Sequence, residues 1–342
     1  MDPITHGVVG AMAAYTISDK KARKSAPVAG AGSAMLADIE TFMHLPSDPL
    51  FNLEVHRQFT HSLVFIPVGA LIATALFWFL LRRHLSFKQL YIYSIAGYAT
   101  HWFMDVITSY GTELFWPFVN TRYAWNLVSV VDPLFSAGLI LFTALALWYN
   151  RKWLIGAAWG WMILILAAGW IQNERADRTM NLLAEERGHS LERSVVKPTL
   201  GNQILWRATY ISRDSVFTDA VRAGLYSSPT IYSGESYPLV DISEEFQAYR
   251  GTTLYSDLKR FERLSEGYLI RHPQLPEVIG DARYSMLPTS LVPLWGVATD
   301  TLQSDSHLPF LYFRDAGAEI REPFLNMLMG RENRLEAINY EN

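Results

Sequence analysis

Apolar positions divide this chain into two unlike halves. Up to about Ile171 they gather into long runs; beyond Gln172 they come in short runs separated by turn residues. Three stretches, residues 62–81, 128–149 and 153–171, reach the roughly 17–25 residues that a helix needs to cross a bilayer. A fourth, residues 90–109, has similar length but more polar side chains. Two shorter pieces, 4–17 and 26–36, come before these, and their length suits a tilted or re-entrant hairpin. The pattern predicts an α-helical polytopic membrane domain over residues 1–172 and a soluble domain over 173–342.

The soluble half opens with a charged helical stretch, 173–191. Strand-like runs follow at 203–211, 267–271, 282–286 and 291–299, with helical candidates at 256–264 and 322–329. This pattern predicts an α+β domain with a mainly antiparallel sheet.

Basic residues orient the membrane half. Lys20, Lys21, Arg23 and Lys24, then Arg82, Arg83 and Lys88, then Arg151 and Lys152, fall in alternate connections, whereas the intervening loops hold only Arg57 and Arg122. Positive charge marks the cytoplasmic side. Six crossings, with the N-terminus and the C-terminal domain both outside the cytoplasm, satisfy all five loops. The start, Met1 to His6, lacks the basic region of a signal peptide and reads as part of the mature protein.

Composition narrows the chemistry. Half of the 342 residues are hydrophobic and 18% are charged, below the roughly 25% of soluble proteins. The net charge of −4 leaves no basic footprint for nucleic acid. Cysteine is absent, which excludes a disulfide scaffold, a thiolate zinc site and a cysteine nucleophile. A metal would be held by His, Asp and Glu, ligands suited to zinc, manganese or magnesium.

Such residues are concentrated in the first half. His101 and Asp105 stand four apart in an apolar segment, so a helix aims both from one face. Ionisable groups in such segments are costly and usually bind, relay or coordinate something. His56-Arg57-Gln58-Phe59-Thr60-His61-Ser62 puts two imidazoles and a guanidinium at the start of an apolar run. Asp38 and Glu40 diverge on a helix but share a side in a turn. His6 gains weight only from this company. In the orientation read from charge, all of these fall near the outer ends of their segments. Asp132 precedes Pro133 and reads foremost as a helix N-cap, while His44, His84, His189, His272 and His307 lack a partner cluster.

Asp2-Pro3-x-Thr5-His6-Gly7, Asp38-x-Glu40, His56-Arg57-x-x-Thr60-His61-Ser62, His101-x3-Asp105, Ser109-Tyr110-Gly111 and Asp132-Pro133 together resemble the membrane-bound metal-dependent hydrolase family, also described as LexA-binding and inner-membrane-associated. The resemblance covers about residues 1–150. More distantly, that family is similar to zinc-dependent phospholipase C and P1-type nucleases, all-helical enzymes whose ligand order runs His, Asp, His, then His-x3-Asp. His6, Asp38, His56 or His61, His101 and Asp105 follow that order. The family's Pro-Asp-x-Asp reads Ala37-Asp38-Ile39-Glu40 here, and the later His and His-x3-Glu of the phospholipases have no counterpart. The resemblance therefore implies one or two zinc ions rather than three, and a multi-pass protein of a bacterial-type inner membrane.

The resulting expectation is a divalent metal site built from His6, Asp38, His56, His61, His101 and Asp105. Glu40 would be its base or a further ligand, and Arg57 its clamp for a substrate phosphate. The expected reaction is phosphoester hydrolysis at the extracytoplasmic interface, on a lipid or amphipathic substrate, with membrane lipids as neighbours. The alternative is a non-enzymatic regulatory or assembly protein whose metal is structural. A transporter would place its relay near the midplane, where these residues do not cluster.

Overall fold

The structure is a computed structural model, and it describes residues 1–299, 304–315 and 317–331. The chain divides into two compact units, one of Met1–Met43, Asn52–Trp170 and Leu200–Asn202, the other of His44–Phe51, Ile171–Thr199 and Gln203–Asn342.

The first unit is helical. Its helices are α1 (Pro3–Ile17), α2 (Ala26–Leu36), α3 (Phe51–Val55), α4 (Ile66–Leu81), α5 (Phe87–Val106), α6 (Pro133–Tyr149) and the first part of α7 (Lys152–Glu186). Local chemistry sets the ends. Asp2 accepts from the Thr5 amide ahead of Pro3, Ser86 and Gln89 form a reciprocal capping box on α5, and Asp132 accepts from the Phe135 amide, 3.0 Å away, at the start of α6. Asp132 is thus the N-cap expected of it. Among the described residues, the segment Leu63–Leu81 and helix Lys152–Glu186 are long and apolar enough to cross a membrane; Pro133–Tyr149 is apolar but shorter. Helices α1 and α2, of 15 and 11 residues, are shorter than a full crossing needs.

What brings α1, α2 and α5 together is the absence of side chains. A Cβ on Gly10 would come within 2.5 Å of the Gly30 carbonyl oxygen, and one on Gly30 or on Gly97 would lie 2.2 Å from the carbonyl oxygen of Gly10 or of Gly30 respectively. No real contact is so short, so only glycine lets these three backbones touch, a device common where helices pack without hydrophobic drive. Four residues along from each glycine stand His6, Ala34 and His101, one helical turn away. The glycine contact is therefore the floor of the region where the ligands gather.

The second unit takes the rest of α7 and adds two antiparallel four-stranded sheets in meander order. One comprises β1 (Arg193–Pro198), β2 (Leu205–Ser212), β3 (Ser215–Arg222) and β4 (Thr230–Pro238); the other β5 (Leu269–Arg271), β6 (Val278–Asp281), β7 (Trp295–Ala298) and β8 (Phe310–Tyr312). Helices α8 (Ile242–Glu245), α9 (Thr253–Leu264) and α10 (Ala318–Met329) complete it. Ala176, Met180 and Ala184 of α7 join Trp206, Ala208, Tyr210 and Val221 in one core. Arg187, just past α7, grips Asp219 with both guanidinium nitrogens at 2.6 and 2.9 Å. The strand expected at 282–286 is absent. The strand is β6 instead, and it ends where the Asp281 carboxylate accepts from the Arg283 amide at 3.0 Å and turns the chain. Strands β1, β3, β4 and β8 were not anticipated.

Replacing Gly30 with leucine should separate α1, α2 and α5, lowering stability by about 1–3 kcal/mol or more. Gly156→Ala, where nothing lies within 4 Å of the added carbon, should be neutral to stabilising. Thermal unfolding of the detergent-solubilised variants checks both.

Candidate metal centre

Four elements of the first unit deliver the centre. Helix α2 runs straight into a 3₁₀ turn, Ala37–Phe42, that carries Asp38 and Glu40. That tightened turn makes the two acids address one ring from opposite ends: Asp38 Oδ1 is 3.5 Å from His61 Nε2, and Glu40 Oε1 is 3.1 Å from His61 Nδ1. His61 sits on a short turn, Phe59–His61, and His101 and Asp105 share one face of α5, Nε2 to Oδ2 3.3 Å. Asp105 Oδ2 also lies 3.0 Å from His61 Nε2, and Asp38 Oδ1 is 3.5 Å from His101 Nε2. One ligand atom from each of Asp38, His61, His101 and Asp105 lies within 4.8 Å of the other three, and the group can hold a metal ion.

Hydrogen bonding decides which ring nitrogens are free for it. His101 Nδ1 is 2.7 Å from the Ala34 carbonyl oxygen, which only accepts, so Nδ1 carries the proton and Nε2 presents a lone pair. The Thr60 hydroxyl donates to Glu40 and lies 2.9 Å from His61 Nδ1, so in the neutral ring His61 Nδ1 donates to its neighbours and Nε2 is likewise a lone pair. These two Nε2 atoms face each other at 2.8 Å. Two lone pairs at that distance repel unless a proton or a metal ion lies between them. Asp105 Oδ2 and both ring nitrogens of His6 are buried without a hydrogen-bond partner, as groups reserved for a cation would be. The donor set fits a divalent metal.

The other predicted residues surround this group. His6 stacks on His101, ring centroids 3.8 Å apart, and its Nε2 is 3.3 Å from Asp105 Oδ1. That same oxygen lies 3.1 Å from Arg57 Nη2 and 2.6 Å from the Met1 α-amino nitrogen. Asp105 thus gives one oxygen to the protein's own cations and turns the other to the centre. Glu40 is fully buried and hydrogen-bonds the Arg57 amide and the Thr60 hydroxyl behind His61. His56 Nδ1 lies 3.5 Å from Glu40 Oε1, and its side chain keeps 30% exposure, outside the four-residue group. Arg57 occupies left-handed backbone, φ 63°, which costs a non-glycine residue about 1–2 kcal/mol. Its amide bound by Glu40 and its carbonyl bound by the Glu113 amide hold it there.

Electrostatics agree with geometry. Burial opposes ionisation of Asp38, yet the adjoining His101 and His61 imidazoles keep its carboxyl far below the usual carboxylate range. Burial likewise opposes charge on Glu40, but His56 and His61 hold it down at about 2. On His61 burial favours the neutral ring, and the Asp105, Asp38 and Glu40 carboxylates override it, raising it to about 10. For His56 burial wins and the imidazole is lowered. The carboxylates thus draw positive charge onto the place where the metal would sit.

The second unit brings Asp48, Asp257 and His307 together, although His307 was expected to stand apart. There the positive charge is already supplied: Arg260 Nη2 lies 2.8 Å from Asp48 and Nη1 2.9 Å from Asp257. His307 Nδ1 completes the network, 2.9 Å from Asp257. Its spacing of fifty residues from Asp257 left no local signal in the chain.

Comparison with known proteins bears on the first unit. The sequence pattern of the YdjM inner membrane protein family matches residues 1–176. The chain is also similar to the uncharacterized protein YfhP of Bacillus subtilis (strain 168), 26% identical over 156 residues, which are 44% of this chain and 46% of that protein. The match thus spans about half the length of that relative. No solved structure matches.

Alanine at His61, His101 or Asp105 should abolish stoichiometric metal in protein purified and reloaded with zinc or manganese, while His56→Ala should retain it. Glu40→Gln should weaken metal affinity by about 10–100-fold, as loss of a carboxylate that orients a ligating imidazole does. Elemental analysis and competition with a chromogenic chelator measure both.

Proposed function

The chain belongs to the YdjM inner membrane protein family, which supports a membrane setting, and from the geometry of its centre we propose that its helical half is a multi-pass, membrane-embedded, metal-dependent hydrolase of phosphoesters. The observation that carries this reading is the opposed pair of imidazole nitrogens flanked by two carboxylates, with Asp105 Oδ2 and the His6 ring nitrogens buried beside them. His61, His101, Asp38 and Asp105 would hold the ion, with His6 beside them as a further ligand. A divalent cation there, zinc being the ion these donors suit, supplies Lewis-acid activation of water and charge neutralisation of an oxyanion.

The remaining work falls to the chain's own side chains. Glu40 keeps the proton on His61 Nδ1 and so keeps Nε2 directed inward; it is a positioning residue with its oxygens already engaged. Arg57 offers a buried guanidinium beside Asp105, over the Tyr110 ring at 5.4 Å. Its planar fork is suited to two oxygens of a phosphoryl group. In this reading the centre lies near the extracytoplasmic surface, the C-terminal domain shares that side, and the substrate is a lipid or another amphipathic phosphoester arriving along the bilayer.

Metal-loaded protein in detergent should hydrolyse a generic phosphodiester or a short-chain phospholipid. Asp105→Ala should remove that activity, and Arg57→Lys should raise KM about tenfold with a smaller effect on kcat. A metal-loaded, folded protein inert toward phosphodiesters, phosphomonoesters and phospholipids would instead favour a structural metal in a regulatory or assembly protein.

A further inference from the structure

Among the described residues of the second unit, the most exposed large apolar side chains are on the connection between β3 and β4. Tyr226 is fully exposed and Leu225 is 69% exposed, side by side at the tip. The two side chains are adjacent, so they form one exposed apolar tip. The loop is also fixed in place. Gln172 Nε2 donates to the Ala223 carbonyl at 2.6 Å, and Arg175 donates to the carbonyls of Gly224 and Ser227 at 2.5 and 2.6 Å.

The anchoring residues identify what the tip faces. Gln172 and Arg175 are on α7 immediately after its apolar stretch, which exposed Trp153 and Trp170 bracket. Seventeen residues of helix span about 25 Å, close to the hydrocarbon thickness, and tryptophans settle at the two boundaries. A loop bound to Gln172 is therefore held at the height of Trp170, where headgroups begin. Strand β3 then leads away from that boundary along α7, because Ala223 meets Gln172 at one end while Asp219 meets Arg187 further on.

We propose that the β3–β4 loop is a bilayer-surface anchor, with Leu225 and Tyr226 seated among the lipid headgroups beside the end of α7. Tyrosine suits that depth because its ring is apolar and its hydroxyl stays hydrated. The inference rests on α7 crossing the membrane and is independent of the hydrolase reading.

The absence of cysteine makes the test direct. Single variants Tyr226→Cys, Asp214→Cys and Ile163→Cys of the full chain, labelled with an environment-sensitive fluorophore, are reconstituted in phosphatidylethanolamine/phosphatidylglycerol vesicles. Asp214 is the control at the far end of β3, about 25 Å along the strand; Ile163 is the control inside the apolar stretch of α7. At position 226 the emission should be blue-shifted relative to 214. It should be quenched several-fold more by lipid nitroxides near the headgroup, and several-fold less by aqueous iodide. Equal iodide access at 226 and 214 overturns the proposal while quenching at 163 upholds the crossing. Blue-shifted emission at 226 that ignores nitroxide lipids and grows with the protein-to-lipid ratio assigns the tip to a second copy of the chain and overturns it too. No quenching at 163 by nitroxides deep in the acyl chains removes the crossing and the proposal with it. Metal content and phosphodiesterase activity, read on the same variants, report the hydrolase reading separately.

Discussion

Two imidazole nitrogens directed at each other beside buried carboxylates need positive charge between them, a proton or a metal ion. The first unit is organised around that demand. Burying a carboxylate is costly unless a counter-charge and hydrogen bonds come with it. Each acid here is supplied separately. Glu40 is satisfied by an amide, a hydroxyl and His61, and Asp105 gives one oxygen to Arg57 and His6. What is left over is one Asp105 oxygen, one Asp38 oxygen and the two ring nitrogens. That remainder is a coordination set.

Its precision depends on backbone contact. Side chains at the ends of long rotamers reach many places, so an aligned set of donors needs a stiff base. The meeting of Gly10, Gly30 and Gly97 provides one, because main chains in direct contact have little room to slide. The left-handed turn at Arg57 serves a related purpose. It brings His61 and the guanidinium to one side of the site, and bonds from Glu40 and Glu113 offset its strain.

Much of this was legible in the chain. The His101/Asp105 spacing declared a shared helix face, the apolar runs located α4, α6 and α7, and Asp132 before Pro133 marked a helix start. Glu40 was less legible as a positioning residue, because its role depends on a 3₁₀ turn that no local residue announces. The glycine contact left a trace in hindsight, a glycine four residues from His6, from Ala34 and from His101, but nothing linear says that the three meet. Strand prediction failed for physical reasons as well. The apolar run at 203–211 gave β2 away, whereas β4 exposes a polar Ser-Gly-Glu-Ser run that reads as loop. Asp48 is about two hundred residues from Asp257, and Asp257 fifty from His307, so only folding reveals their network.

The bond from His101 to the Ala34 carbonyl has a genetic corollary. A main-chain oxygen is present whatever amino acid occupies position 34, so no codon change there can delete the acceptor that selects the imidazole tautomer. Loss of that selection can come only from moving one helix against its neighbour. Mutations that silence the centre by shifting His101 should therefore map to the crevice between α2 and α5, at small residues that carry no ionisable group themselves.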